Sequence, residues 1–170
     1  MLLDRSELIS ALFRETDRAQ RTKTPLALIQ VGIEQAPSPF LNESDVAVDA
    51  IVERVTRLLR SYDLIGNLGR GVFLVVLPEC DGPQAALLAE RLKAEIFRAP
   101  MRDGEQVRPD TCFGVVSSGG RSPLVVMRDA ELALQRARKN GSGSIEFSTE
   151  ATDEALSVFL RPGLSLDSTD

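Results

Sequence analysis

The stretch that decides the fold is RSYDLIGNLGRGVFLVVLP, residues 60–78. Two strand-like stretches, residues 63–68 and 72–77, flank the short segment Gly69-Arg70-Gly71. Strand-like stretches on both sides of a short glycine-containing turn are typical of a β-hairpin, because glycine adopts the positive φ angles that tight turns require. The segment therefore predicts two antiparallel strands joined at these three residues.

The rest of the chain alternates between helical and strand-like patterns. Apolar residues at spacings of three and four predict helices over residues 4–20, 43–60, 83–98 and 123–139. Short apolar runs predict further strands over residues 26–33, 111–117 and 144–147. The order α-β-α-β-β-α-β-α-β predicts an α/β fold over residues 1–147, in which helices flank one central mixed sheet that contains the hairpin.

Composition excludes several classes of function. The 170 residues include no histidine, no tryptophan and two cysteines, Cys80 and Cys112, without metal-site spacing. Histidine-dependent triads, thiolate zinc sites and disulfide frameworks are therefore disfavoured. A net charge of −5 argues against a nucleic-acid partner. With neither a long apolar run nor a secretion signal, the sequence predicts no membrane span and a cytoplasmic location.

The acidic charge is concentrated near the C-terminal end. Residues 148–170 contain five acids and one base, and so carry most of the net charge of −5. This composition predicts an acidic C-terminal tail that is partly disordered.

The hairpin and four other segments resemble the GGDEF family of diguanylate cyclases. Gly69-Arg70-Gly71-Val72-Phe73 occupies the place of the signature itself. Similar segments follow the family's order along the chain: residues 25–29, 89–92, 113–115 and 130–141. The resemblance implies the family's palm-like domain.

The same resemblance implies that the catalytic apparatus is degenerate. The family makes cyclic di-GMP from two GTP molecules and holds magnesium with acidic side chains, since hard cations prefer carboxylate oxygens. The metal-binding acids of the family fall here on Gly32, Gly71 and Val72, none of which has a side chain that can ligate a metal. The second signature glycine falls on Arg70, and the guanine-contacting asparagine on Phe40. The resemblance thus predicts no catalytic residues, no metal site and no cofactor.

A second family site, which binds the product as an inhibitor, is matched in residue type. It consists of an Arg-x-x-Asp motif ahead of the signature and an arginine on the following helix, matched here by Arg60, Asp63 and Arg91. An arginine fork can bond guanine or phosphate oxygens, and a carboxylate can accept from the N–H groups of guanine. The resemblance predicts cyclic di-GMP as a ligand that binds without metal. Its binding would be signalled to a protein partner.

The motif also has a structural explanation. Arg-x-x-Asp occurs a second time in this chain, at Arg14 and Asp17, and such pairs on a helix are usually solvated ion pairs. The alternative is a nucleotide-independent interaction or dimerisation scaffold derived from a cyclase fold. The oligomeric state, a homodimer included, and the identity of the partner stay open.

Overall fold

The computed structural model describes residues 2–34, 41–98 and 110–148, with the backbone alone for residues 41–48. Within these ranges the chain forms six strands and four helices. The strands are β1 (Leu2–Leu3), β2 (Leu26–Glu34), β3 (Leu64–Gly69), β4 (Val72–Pro78), β5 (Asp110–Ser117) and β6 (Ile145–Phe147). The helices are α1 (Arg5–Thr22), α2 (Leu41–Leu58), α3 (Gly82–Arg98) and α4 (Pro123–Asn140).

The strands form one mixed sheet in the order β1-β3-β4-β2-β5-β6. The β2 strand lies near the middle, antiparallel to both β4 and β5. Its sequence explains this position, because eight consecutive buried residues suit a strand that is covered on both faces. The outer pairs, β1 with β3 and β5 with β6, are parallel.

Alternate residues of the sheet contribute to two separate apolar layers. On one face Leu26 and Leu28 pack with residues of α1 and α4. On the other face Ala27 and Ile29 pack with residues of α2 and α3. The two-residue period of a strand thus produces helices on both sides of the sheet.

The helix ends follow from local chemistry. At the start of α1 the Asp4 carboxylate accepts from the Glu7 backbone N–H at 2.8 Å, and the Glu7 carboxylate accepts from the Asp4 N–H at 3.0 Å. Asp81 and Gln84 exchange the same pair of bonds at the start of α3. These are capping boxes, which satisfy backbone donors that a helix leaves without partners.

The predicted architecture is confirmed, with one addition. Every predicted helix and strand is present, with bounds within about two residues of those expected, as is usual for helix and strand ends. The β1 strand was not predicted, because a two-residue strand has no periodicity to detect. Among the described helices none is long and apolar enough to cross a membrane. The predicted tail lies outside the described residues from position 149 onward; Ser148 is described, and its N–H donates to the carbonyl of Val115 at 2.9 Å.

Candidate functional site

The turn of the β3–β4 hairpin has an unusual backbone. Gly69, Arg70 and Gly71 all have positive φ, at 93°, 55° and 73°. The strand register shifts between Asn67 and Gly69, and the side-chain oxygen of Asn67 accepts from the Gly69 N–H at 2.7 Å. Glycine adopts these angles at no steric cost, whereas Arg70 adopts them in spite of its Cβ. Arg70 is exposed.

Gly71 also lies against the backbone of β2. The N–H of Ile33 donates to the Gly71 carbonyl at 2.8 Å. A Cβ built on Gly71 would lie 2.5 Å from the carbonyl oxygen of Ile33. The position therefore excludes any side chain unless the hairpin moves away from β2.

Beside the hairpin, Gly32 of β2 lies under an arginine of α4. A Cβ built on Gly32 would be 2.8 Å from Nη2 of Arg138 and 3.1 Å from both methyl groups of Leu134. The Nε atom of Arg138 lies 3.5 Å from a carboxylate oxygen of Glu34. A guanidinium group therefore occupies the space that a side chain at position 32 would enter.

The remaining signature positions contribute no acidic group. Val72 is half-buried, and Phe73 belongs to the core between the sheet and the α2 and α3 helices. Phe40 lies outside the described residues. In the part of the chain that the structure describes, no group of three or more His, Cys, Asp or Glu residues could hold a metal ion.

Arg60 and Asp63, which lie between α2 and β3, form a hydrogen-bonded ion pair. The Asp63 carboxylate accepts from the Arg60 backbone N–H at 2.7 Å, from its Nε at 3.2 Å and from its Nη2 at 3.1 Å. The same Nη2 donates to the Pro78 carbonyl at 3.0 Å, and the guanidinium carbon lies 4.5 Å from the ring centroid of Tyr62. The hydrogen bond to Asp63 is the main cause that raises the pKa of Arg60 above its ordinary value.

The two members of this pair differ in access to solvent. The Asp63 side chain is 1 % exposed, whereas that of Arg60 is 42 % exposed. The Nη1 group of Arg60 has no hydrogen-bond partner among the described residues. The partly exposed arginine thus keeps one donor group without a partner in the described part of the chain, while its carboxylate partner is buried.

Arg91 is exposed on α3, one position before the buried Leu92. It makes no hydrogen bond or ion pair with Arg60 or Asp63 in the described part of the chain. The α2 and α3 helices nevertheless pack on the same face of the sheet. The structure therefore joins two of the three predicted ligand residues and leaves the third separate, on the same side of the sheet.

A family model for the diguanylate cyclase GGDEF domain matches residues 41–144, which is more than half of the chain. The chain belongs to the GGDEF domain family. Two curated relatives of this GGDEF domain are an uncharacterized signaling protein of Caulobacter vibrioides and the diguanylate cyclase DosC of Escherichia coli. The first is 29 % identical over 91 % of the chain, and the second is 24 % identical over 85 %. The chain spans 20 % and 33 % of their respective lengths.

Solved GGDEF domains share the fold. The GGDEF domain of TpbB (YfiN) from Pseudomonas aeruginosa has a TM-score of 0.78 at 24 % identity, over 92 % of this chain and 95 % of that one. The active GGEEF domain of a Vibrio cholerae diguanylate cyclase has a TM-score of 0.80 at 21 % identity, over 87 % and 98 %. The GGDEF domain of DgcB from Caulobacter crescentus, solved in complex with c-di-GMP, has a TM-score of 0.79 at 17 % identity, over 86 % and 91 %.

Sequence reasoning missed three contributions to these sites. The Pro78 carbonyl and the Tyr62 ring hold the Arg60 side chain, and Arg138 covers Gly32. Tyr62 carried a usable signal, because it is the single tyrosine of the chain and lies inside the Arg-x-x-Asp motif. A backbone carbonyl and an arginine from a distant helix give no such signal.

Proposed function

We propose that this GGDEF domain does not synthesise cyclic di-GMP but binds it through the Arg60–Asp63 pair and relays the bound state to a protein partner. The observation that carries the proposal is the geometry of Arg60. Its guanidinium is held by a buried carboxylate, a carbonyl and an aromatic ring, and its Nη1 group, on a side chain that is 42 % exposed, has no partner among the described residues. A donor that is fixed in this way loses little conformational entropy when it binds guanine or phosphate oxygens.

The residues around Gly32 support the absence of synthesis. Magnesium prefers carboxylate oxygens, and position 32 offers none. The Arg138 guanidinium lies against this position, and a cation there would repel a divalent metal. Gly71 is closed to side chains by the Ile33 carbonyl. The residues present do not fit the metal centre of a diguanylate cyclase.

Arg60 and Asp63 have different roles in this proposal. Arg60 and the half-exposed Tyr62 are open to a ligand, and a purine base can stack on either planar group. Asp63 is a positioning residue in this arrangement, because its carboxylate is buried and already bonded to Arg60. Arg91 would contribute a second positive charge from the neighbouring helix.

Two solved relatives support a ligand and a protein partner of this kind. The DgcB structure was obtained in complex with c-di-GMP, and the diguanylate cyclase SiaD of Pseudomonas aeruginosa was solved in complex with its activator SiaC. These complexes establish binding for those proteins, and the proposal extends both kinds of binding to this chain.

Isothermal titration calorimetry with cyclic di-GMP, and GTP as the control ligand, tests the binding. We expect Arg60→Ala to weaken binding about 10- to 100-fold, the effect of losing a charged hydrogen-bonding group. Arg57→Ala is the matched control, because this arginine lies in the last turn of α2, three positions before Arg60, in an exposed ion pair with Glu53. Circular dichroism of each variant establishes that it is folded.

Three results would contradict the proposal. Absence of heat with the unmodified protein, or equal losses in Arg60→Ala and Arg57→Ala, would remove the ligand site. Formation of cyclic di-GMP from GTP and magnesium would remove the claim of inactivity.

A nucleotide-independent scaffold is the second candidate. The burial of the Asp63 carboxylate favours it, because the pair then serves only to join α2 to β3. Under this alternative no guanine nucleotide changes the thermal stability of the protein, and a partner is captured equally well by Arg60→Ala.

A further inference from the structure

A groove of about 700 Å³ lies between the hairpin turn and the α4 helix. Four arginines line it: Arg5, Arg70, Arg128 and Arg138. Glu131 is the acidic residue in the lining. We call this surface the arginine groove. Its charge is unexpected, because the chain as a whole has a net charge of −5.

Most of this positive charge has no acidic partner among the described residues. The side chain of Arg5 donates to the Leu68 carbonyl at 2.9 Å, which is a neutral group. Arg70 and Arg128 are exposed and make no ion pair in the described part of the chain. Arg138 faces Glu34 across 3.5 Å, and the Glu34 side chain is 61 % exposed. The groove therefore attracts a polyanion.

The groove also has an apolar part. Leu124 and Val125, in the first turn of α4, line it and are 60 % and 42 % exposed. Large apolar side chains that are exposed next to a charged groove are typical of a surface that binds another segment. The occupant should then carry both acidic and apolar side chains.

Residues 149–170 of this chain have that composition. Glu150, Asp153 and Glu154 stand immediately before the apolar stretch Ala155-Leu156-Ser157-Val158-Phe159-Leu160. We propose that this segment binds in the arginine groove of its own chain, with its acids paired to the arginines and its apolar stretch on Leu124 and Val125. The proposal is independent of nucleotide binding, since it uses neither Arg60 nor Asp63.

The end of the described chain is within reach of the groove. Ser148 is fixed beside β5 by its bond to the Val115 carbonyl, and the side chain of Arg136 on α4 donates to the Phe147 carbonyl. The groove lies along the same α4 helix, so the segment must pass around a helix about 10–12 Å wide. Its 22 residues span up to about 70 Å when extended. Binding within one chain is therefore sterically feasible.

Binding within the chain is favoured over binding by a free partner for a physical reason. A tethered segment acts at an effective concentration in the millimolar range, so weak surface contacts suffice to occupy the groove. The occupied groove would cover Arg70 and the outer side of Arg138, next to the hairpin turn. A protein partner that needs this surface would have to displace the segment.

The test uses nuclear magnetic resonance of the full chain with a spin label at Ser157→Cys. Cys80 and Cys112 are buried, and burial raises the pKa of both thiols, so these two native cysteines react slowly and the introduced cysteine is labelled in preference to them. We expect the label to broaden the backbone amide signals of residues 68–72 and 124–128. Arg128→Glu should reduce this broadening at least twofold, and Arg14→Glu, the same charge change at an exposed residue away from the groove, should leave it unchanged.

A further variant changes the segment and none of the residues that line the groove. Removing two negative charges from the segment with Asp153→Asn and Glu154→Gln should give the same loss of broadening as Arg128→Glu. A mixture of spin-labelled protein and isotope-labelled protein without a spin label separates binding within a chain from binding between chains. Broadening in the mixture would assign the groove to the segment of a second copy and overturn the proposal. Broadening of other residues, or none, would overturn it as well.

Discussion

The hairpin geometry predicts that a side chain at Gly71 destabilises the protein. Replacing it with alanine forces a Cβ into a backbone with φ of 73°, which costs about 1–2 kcal/mol for a residue other than glycine. The Cβ would also lie 2.5 Å from the Ile33 carbonyl oxygen, where ordinary contact begins at 3.4 Å. The hairpin must therefore move away from β2 by nearly the whole difference between 2.5 Å and 3.4 Å. Weakening the bond between the Ile33 N–H and the Gly71 carbonyl adds about 0.5–1.5 kcal/mol.

Together these costs predict that Gly71→Ala lowers the free energy of unfolding by about 1.5–3.5 kcal/mol. The assay is urea unfolding followed by circular dichroism, in which a slope of about 2 kcal/mol per M converts this loss into a midpoint shift of about 1–2 M. Gly69→Ala is the matched control, because Gly69 also has positive φ but has no atom within 4 Å of the added Cβ. It should lose only about 1–2 kcal/mol. Equal losses in the two variants would refute the close approach of Gly71 to β2.

Four further predictions concern the packing around the sheet. Gly114→Ala should lower stability by about 2–4 kcal/mol in the same urea assay, because its Cβ would clash with the Ala130 carbonyl oxygen of α4. Gly82→Ala is the control, because the nearest atom to its added Cβ is 3.9 Å away, and it should change stability by less than about 1 kcal/mol. Asp129→Ala should cost about 3–5 kcal/mol, because the Asp129 carboxylate, buried in α4, is the ion-pair partner of Arg121 just before that helix. A loss below about 1 kcal/mol would contradict that pairing. Cys80 and Cys112 should react with a thiol reagent at pH 8 at least tenfold more slowly in the folded protein than in urea, because burial raises the pKa of both thiols. The folded state then retains thiol protons that the unfolded state loses, so stability should fall as the pH rises above the unfolded thiol pKa of about 8.5.

Most of the fold could be predicted because its signals are local. The run from Leu26 to Ile33 is apolar at nearly every position, and only a strand covered on both faces buries all of it. The short segment Gly69-Arg70-Gly71 identifies a hairpin by its glycines alone. The pairing of Leu2 with Ile65 had no comparable signal, because it joins two short segments that are far apart in sequence.

The site was predicted by residue type but not by geometry. The resemblance predicted Arg60 and Asp63 as members of one ligand site, and the structure joins them directly. The sequence could not indicate that the Asp63 carboxylate is buried, because burial depends on how α2 meets β3 and β4. It also could not place Arg138 over Gly32, a contact that depends on the position of α4 across the sheet.

The central position of β2 has a consequence for how the protein is made. Its two partners, β4 and β5, both follow it in the chain, and a ribosome completes β5 well after β4. During that interval β2, β3 and β4 can already pair, while the edge of β2 that later receives β5 stays open. Because β2 is apolar, its unpaired edge can form hydrogen bonds with strands of other nascent chains, which leads to aggregation. Closing the sheet also requires contacts between distant residues, which slows folding. We therefore expect the yield of folded protein to depend on the rate at which residues 79–117 are synthesised.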